Sequence, residues 1–64
     1  MSRIRCGGFI FEIYANDHPP LHVHIFQGKR FLGRFDIENQ QPLDKRLKIT
    51  QGLRNALRKC GYIE

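Results

Sequence analysis

Residues 21–37, LHVHIFQGKRFLGRFDI, carry the clearest strand pattern in this chain. Alternate residues before the Gln27-Gly28 pair fall on two faces, with Leu21, Val23 and Ile25 opposite His22, His24 and Phe26. After the pair, the alternation sets Phe31, Gly33, Phe35 and Ile37 against Leu32, Arg34 and Asp36. A period of two with aromatic and β-branched residues is typical of strands, and Gln-Gly suits a tight turn. The stretch predicts two antiparallel strands joined as a hairpin.

A further strand is predicted before this hairpin. Residues 8–14 read GFIFEIY, which places Phe9, Phe11 and Ile13 on one face. Residues 16–20, NDHPP, then end the strand, because proline lacks the N–H that a sheet ladder requires. Gly33 lies inside the last strand and indicates a bulge or a close backbone contact. The expected sheet is a three-stranded antiparallel meander.

The periodicity changes after the polar residues 39–42. One helical stripe collects the apolar side chains of Ile49, Leu53, Ala56, Leu57 and Cys60. Thr50 is a suitable N-cap and Gly61 a suitable C-terminal stop, whereas residues 43–48 fit either a helical turn or a short fourth strand. Because the stripe would pack on the apolar face of the sheet, we predict a single α+β domain over residues 1–64. Its C-terminal helix would cover one face of the meander.

Length and charge narrow the functional classes. A chain of 64 residues leaves no room for a nucleotide-binding α/β domain or a two-domain cleft. Eleven Lys and Arg residues against six Asp and Glu give a formal charge of +5. Such a charge favours a polyanionic partner, which is RNA, DNA or an acidic protein segment. The sequence shows neither an apolar run of membrane-spanning length nor a signal peptide, so we expect a cytoplasmic protein without membrane contact.

The two cysteines, Cys6 and Cys60, lie near opposite ends of the chain and belong to no CxxC pair. A zinc ribbon or a thioredoxin motif therefore has no support. In a reducing cytosol we expect both to be small buried apolar residues with free thiols rather than a disulfide.

All three histidines fall within residues 17–24, DHPPLHVH. On a strand, His22 and His24 would share a face, and His18 and Asp17 in the adjoining turn would lean over it. Three hypotheses stay open. The histidines are an acid–base pair that cleaves RNA through its own 2′-hydroxyl, they bind zinc or nickel together with His18, or they are structural. Our prediction is metal-independent and cofactor-free, with His22, His24, His18 and Asp17 as candidate catalytic residues.

Cations near the predicted hairpin and on the predicted helix are candidate phosphate contacts. Charge developing on phosphorus during RNA cleavage needs a nearby cation. The predicted nucleic-acid-binding residues are Lys29, Arg30, Arg34, Arg54, Arg58 and Lys59. The alternative is an ordinary solvated helix face.

The run from Gly8 to Ile37 resembles a small prokaryotic family, domain of unknown function 4160. The family pattern is a glycine, an aromatic-rich strand, the cluster D-H-x-P-P-H-x-H, a glycine turn and another aromatic strand. The matching residues here are Gly8, Phe9, Phe11, Asp17, His18, Pro19, Pro20, His22, His24, Gly28 and Phe35. In this chain Leu21 separates the prolines from the first strand histidine. The resemblance implies a component of a prokaryotic toxin–antitoxin pair, where such proteins are often assigned to the toxin side.

These observations together predict a small basic toxin–antitoxin component, on the toxin side, that acts on or binds RNA as an endoribonuclease or an RNA-binding protein. One alternative is a non-catalytic binding module, an antitoxin or adaptor, that pairs with a partner protein. A three-stranded sheet with two open edges and a small core favours such pairing, or a homodimer. The other alternative is a small domain that binds a metal through its histidines.

Overall fold

The computed structural model describes residues 2–16 and 18–64. Five strands and one helix follow each other along the chain. They are β1 (Ser2–Cys6), β2 (Phe9–Ile13), β3 (His22–Gln27), β4 (Arg30–Asp36), β5 (Gln41–Pro42) and α1 (Gln51–Lys59). The α+β class with a C-terminal helix is confirmed. Residues 43–48 belong to neither a helix nor a strand.

The strands form one antiparallel sheet in the order β1-β2-β3-β4-β5. The three predicted strands are its centre, and the prediction missed the strand at each edge. The sequence did not predict β1, because its side chains are mostly exposed and include two arginines, so it lacks an apolar face. β5 has only two residues, too few for any periodicity.

A bulge in β4 changes which face its first residues occupy. Ile25 of β3 pairs with Gly33, but the next residue, Phe26, pairs with Phe31, which leaves Leu32 as the extra residue. The predicted face assignment of Phe31 is therefore wrong, because Phe31 packs beside Phe26 on the other face. The bulge predicted from Gly33 is confirmed, and so is a close backbone contact. A Cβ atom at Gly33 would lie 2.9 Å from Leu47 Cβ.

Helix α1 begins and ends at the predicted residues. The Thr50 hydroxyl accepts a hydrogen bond from Leu53 N–H, and Gly61 follows the helix with a φ of +84°. Tyr62 N–H and Gly61 N–H bond to the carbonyls of Leu57 and Arg58, which is the Schellman arrangement. The helix stripe packs on the sheet in one buried cluster: Phe9, Phe11, Val23, Ile25, Phe35, Leu47, Leu53, Ala56 and Leu57.

Cys6 and Cys60 form a disulfide, with their Cα atoms 6.8 Å apart. The prediction of free thiols is therefore wrong. The fold brings the end of β1 beside the end of α1, and a sequence interpretation without β1 could not show this proximity. No helix in the described part of the chain is long and apolar enough to cross a membrane.

Candidate functional site

The sheet face opposite α1 holds two strand histidines, and we call it the histidine face. Its members on the three central strands are Ile10, Glu12, His22, His24, Phe26, Phe31, Arg34 and Asp36. Cross-strand partners share a face, so the register also assigns Arg3 and Arg5 of β1 to it. The face therefore mixes cations with aromatic rings.

Neighbouring rings on the histidine face form a continuous row. The ring centroid of His24 lies 4.6 Å from that of Tyr14, 5.1 Å from that of His22 and 6.2 Å from that of Phe31. The Phe31 ring in turn lies 5.2 Å from Phe26. The row exists because the β4 bulge turns Phe31 toward His24, and the strict alternation assumed from the sequence could not reveal it.

His22 is held in a fixed orientation. The residue is 4% exposed, and its Nδ1 lies 2.7 Å from the carbonyl oxygen of Pro20. A carbonyl only accepts, so Nδ1 carries the proton and donates it to this bond. The structure brings the His22 and His24 rings together as predicted. Burial of His22 leaves the half-buried His24 as the member of the pair that a substrate can reach.

His24 lies in a cross-strand row of charged residues, between Glu12 of β2 and Arg34 of β4. Glu12 accepts a hydrogen bond from the Tyr14 hydroxyl, and its other carboxylate oxygen lies 3.4 Å from Arg3 Nε. The carboxylate next to His24 is thus held by two other side chains.

His18 is exposed in the loop before β3 and lines a shallow hollow of about 250 Å³ with Tyr14 and His22. It therefore lies near His22, whereas His24 does not line this hollow. Asp17, the fourth candidate catalytic residue, lies outside the described residues. Across residues 2–16 and 18–64, no three His, Cys, Asp or Glu side chains are grouped closely enough to hold a metal ion.

Arg34, a predicted phosphate contact, forms an ion pair with Asp44. Arg34 Nη2 and Nε lie 2.7 and 3.1 Å from the two carboxylate oxygens, and Arg34 N–H also donates to Asp44. The hydrogen bond from the Arg34 side chain lowers the pKa of Asp44 below its ordinary value of 3.8. This pair fixes residues 43–48 against β4. The sequence interpretation missed Asp44 because it lies in a segment without periodicity.

A second cationic cluster adjoins the aromatic row. Arg46 Cζ lies 5.2 Å from the centre of the Phe31 ring. The two residues help to line a groove of about 590 Å³, with an apolar floor that includes Phe9, Leu32 and Leu53. Arg30 and Lys48 also line it, and Lys29 is exposed in the adjacent turn. We call Arg30, Arg46 and Lys48 the groove cations; the candidate set omitted Arg46 and Lys48.

The remaining predicted phosphate contacts, Arg54, Arg58 and Lys59, are exposed on α1. Because α1 packs on the opposite face of the sheet from His24, the structure does not bring these three residues together with the histidines. The predicted cation set is thus divided between two sides of the molecule.

Comparison with protein families gives a match over most of the chain. Residues 8–59 match the family described as Domain of unknown function (DUF4160). The chain belongs to this family. The matched residues contain the histidine cluster, the groove cations and all of α1, whereas β1 and both cysteines lie outside them. Searches of curated proteins and of solved structures found no match. Membership in the DUF4160 family confirms the resemblance that the sequence suggested for residues 8–37.

Proposed function

We propose that this DUF4160 protein is the RNA-binding component of a toxin–antitoxin pair and binds single-stranded RNA on its histidine face. The observation that carries the proposal is the row of rings Tyr14, His24, Phe31 and Phe26 beside the groove cations. We also propose a cytoplasmic location, because RNA is available there.

The row of rings suits unpaired bases. All four residues are half-buried. Packing therefore holds their rings in place, while part of each ring remains accessible. Sequence-tolerant binding of single strands commonly uses aromatic side chains on which successive bases stack, each worth about 1–3 kcal/mol. Double-stranded RNA presents its bases stacked and paired, so it would not use this row.

The groove cations supply the phosphate-binding part. Arg30, Arg46 and Lys48 line one groove, and the nearby acidic residue Asp44 is paired with Arg34. Arg46 also stacks over Phe31, which links the cationic cluster to the row of rings. An RNA strand whose bases stack on the row of rings would therefore find cations for its phosphates just past Phe31, in the groove toward α1.

Fluorescence anisotropy with a labelled oligouridylate tests this proposal. We expect alanine at Arg30, Arg46 and Lys48 to weaken binding and to reduce the salt dependence, by about 0.7 in log–log slope for each phosphate that is no longer neutralised. The matched control replaces Arg54, Arg58 and Lys59 by alanine, which removes the same charge from exposed positions of α1 that do not line the groove. Equal weakening in both triple variants would contradict the histidine face as the binding surface and indicate a non-specific charge effect.

Substitutions at Phe31 test base stacking separately from phosphate binding. We expect Phe31→Ala to weaken oligouridylate binding by about 1–3 kcal/mol, because one stacking ring is removed. Phe31→Tyr keeps the ring and restores binding, while thermal unfolding confirms that both variants fold. If Phe31→Ala bound oligouridylate as tightly as the wild type, the claim that bases stack on the row of rings would be wrong.

His24 supports a catalytic form of the same proposal. The His24 imidazole has a carboxylate (Glu12) and a phenol (Tyr14) beside it as partners for proton transfer, and Arg34, although paired with Asp44, places a cation on the adjacent strand. Induced expression followed by a gel of total RNA tests it. We expect growth arrest and RNA loss with the wild type and neither with His24→Ala. If total RNA stays intact on expression of the wild type while the protein still binds oligouridylate, the protein binds RNA without nuclease activity.

A further inference from the structure

The outer edge of β1 is an exposed strand edge. β1 is the first strand in the sheet order, and its residues from Ser2 to Arg5 are exposed. The other edge strand, β5, has two residues and contains Pro42, which is a common way to block an edge. β1 has five residues, no proline and an exposed Ile4 (41% of its surface).

The side chains of β1 set a charge pattern on this edge. Arg3 and Arg5 lie on the histidine face, whereas Ile4 lies on the face of its partner Phe11, which packs toward α1. Glu12 neutralises part of the Arg3 charge, and Arg5 pairs with the apolar Ile10. The edge therefore presents cation, apolar residue and cation in succession.

This pattern disfavours pairing between two copies of the chain. An antiparallel pair centred on Ile4 would set Arg3 of one copy opposite Arg5 of the other. A pair centred on either arginine would set that arginine opposite itself. Like charges directly opposite each other across strands are destabilising. A strand with acidic residues at alternate positions would meet opposite charges instead.

We propose that the outer edge of β1 binds an extended segment of a partner protein with the pattern acid–apolar–acid. The partner strand would add to the sheet beside β1, with its acidic side chains opposite Arg3 and Arg5 and its apolar side chain beside Ile4. Backbone hydrogen bonds supply the pairing, and the alternate side chains supply the selectivity. This protein-binding edge goes beyond the proposed function: Arg3 and Arg5 share the histidine face, but neither the row of rings nor the groove cations belong to β1.

Two further observations support a dedicated edge. The DUF4160 match starts at residue 8, so β1 lies outside the matched residues. The Cys6–Cys60 disulfide ties the end of β1 to the end of α1. A strand that is both exposed and tethered has reduced conformational freedom before it meets a partner, which favours binding.

Titration with synthetic peptides, followed by two-dimensional NMR of the oxidised full chain, tests the proposal. The probe is Thr-Glu-Val-Glu-Thr with blocked ends, and the comparison peptide is Thr-Lys-Val-Lys-Thr. We expect shifts confined to the amides of β1 and its neighbour β2, with the acidic peptide binding about tenfold more tightly. We expect N-methylation of the acidic peptide's backbone to abolish binding, because it removes the donors that pair with β1.

Charge reversal supplies the matched variant. The Arg3→Glu/Arg5→Glu/Glu12→Arg triple variant keeps the cross-strand ion pair of β1 and β2 with its signs exchanged, and it should prefer the lysine peptide by a similar factor. Equal binding of both peptides, binding unaffected by N-methylation, or shifts centred on the groove would overturn the proposal. Phe31→Ala, which tests RNA binding, should bind the acidic peptide like the wild type, so failure of one proposal is separable from failure of the other.

Discussion

Gly33 occupies a backbone conformation that other residues rarely adopt. Its φ is +144°, and an added Cβ would meet Leu47 Cβ at 2.9 Å. We expect Gly33→Ala to lower the free energy of unfolding by about 2–4 kcal/mol, from backbone strain and overpacking together. Urea unfolding measures this change.

The matched control is Gly52→Ala in α1, where the φ is ordinary and no atom lies within 4 Å of an added Cβ. It should leave stability unchanged or raise it by up to about 1 kcal/mol. Similar destabilisation by both variants would contradict the special role of Gly33.

Asp44 makes stability depend on pH at the acidic end. Its pKa is lowered by the hydrogen bond from Arg34, so the folded state holds the proton less tightly than the unfolded state does. The contribution is therefore complete above the unfolded value near 3.8 and is lost as the pH falls toward the folded value. We expect Asp44→Asn to be less stable than wild type at neutral pH and to lose less stability between about pH 5 and pH 3.

Asp36 retains its own acid dependence in that variant, because hydrogen bonds from Asn39 lower its pKa too. Urea unfolding at several pH values gives the slopes. Identical slopes for the wild type and Asp44→Asn would mean that the Arg34 pair does not contribute.

Some single-residue features could be predicted from the sequence and others could not. The role of Gly33 was predictable, because a glycine inside a strand usually marks a bulge or a close backbone contact, and the structure shows both. The burial of His22 could not be predicted. Alternation places His22 on the same face as His24, but it does not reveal the hydrogen bond to the Pro20 carbonyl that holds the ring. Asp44 could not be predicted, because its partner Arg34 is ten residues away and only the loop conformation joins them.

Among the elements, α1 was predictable because its start, stripe and stop are all local. Thr50 caps its first turn through a hydrogen bond from Leu53 N–H. We expect Thr50→Ala to lower the free energy of unfolding by about 1 kcal/mol, since the N–H of Leu53 loses its acceptor.

Thr50→Ser retains a hydroxyl at the same position and should stay close to the wild type. Chemical denaturation followed by the helical circular dichroism signal measures both variants. A serine variant as unstable as the alanine variant would show that the threonine methyl group, and not the cap, stabilises this end of α1.

β1 shows why one element escaped prediction. A strand buried on one face is indicated by alternation, but β1 is exposed on both faces except at Cys6. Its pairing with β2 defines it, through five residue pairs from Ser2–Ile13 to Cys6–Phe9. Such pairing is a long-range property, and the local sequence carries little of it.

At the scale of the whole molecule, the disulfide is a large constraint on the unfolded chain. It closes a loop with a sequence separation of 54 residues, for which loop-closure entropy gives about 4 kcal/mol. A domain of this length has roughly 3–10 kcal/mol of net stability. We expect reduction to remove a large share of it, measured as a lower urea midpoint in reducing buffer.

The Cys6→Ser/Cys60→Ser variant should match the reduced protein and show no response to reductant. A wild type whose midpoint is the same with and without reductant would contradict this account of its stability. Small domains commonly depend on such links because their cores bury a limited fraction of the chain.

The same link connects redox state to the β1 edge. Cytosolic thiols are generally kept reduced, so in the cytoplasm proposed for this protein β1 would be held by its pairing with β2 alone. We expect reduction in vitro to weaken binding of the Glu-Val-Glu peptide, because β1 loses its tether to α1 and must be ordered on binding. The NMR titration repeated in reducing buffer measures this, and undiminished affinity would show that β2 alone orders the edge. Trapping thiols in intact cells with an alkylating reagent then tells which form exists there, and hence whether the disulfide orders β1 before it meets a partner.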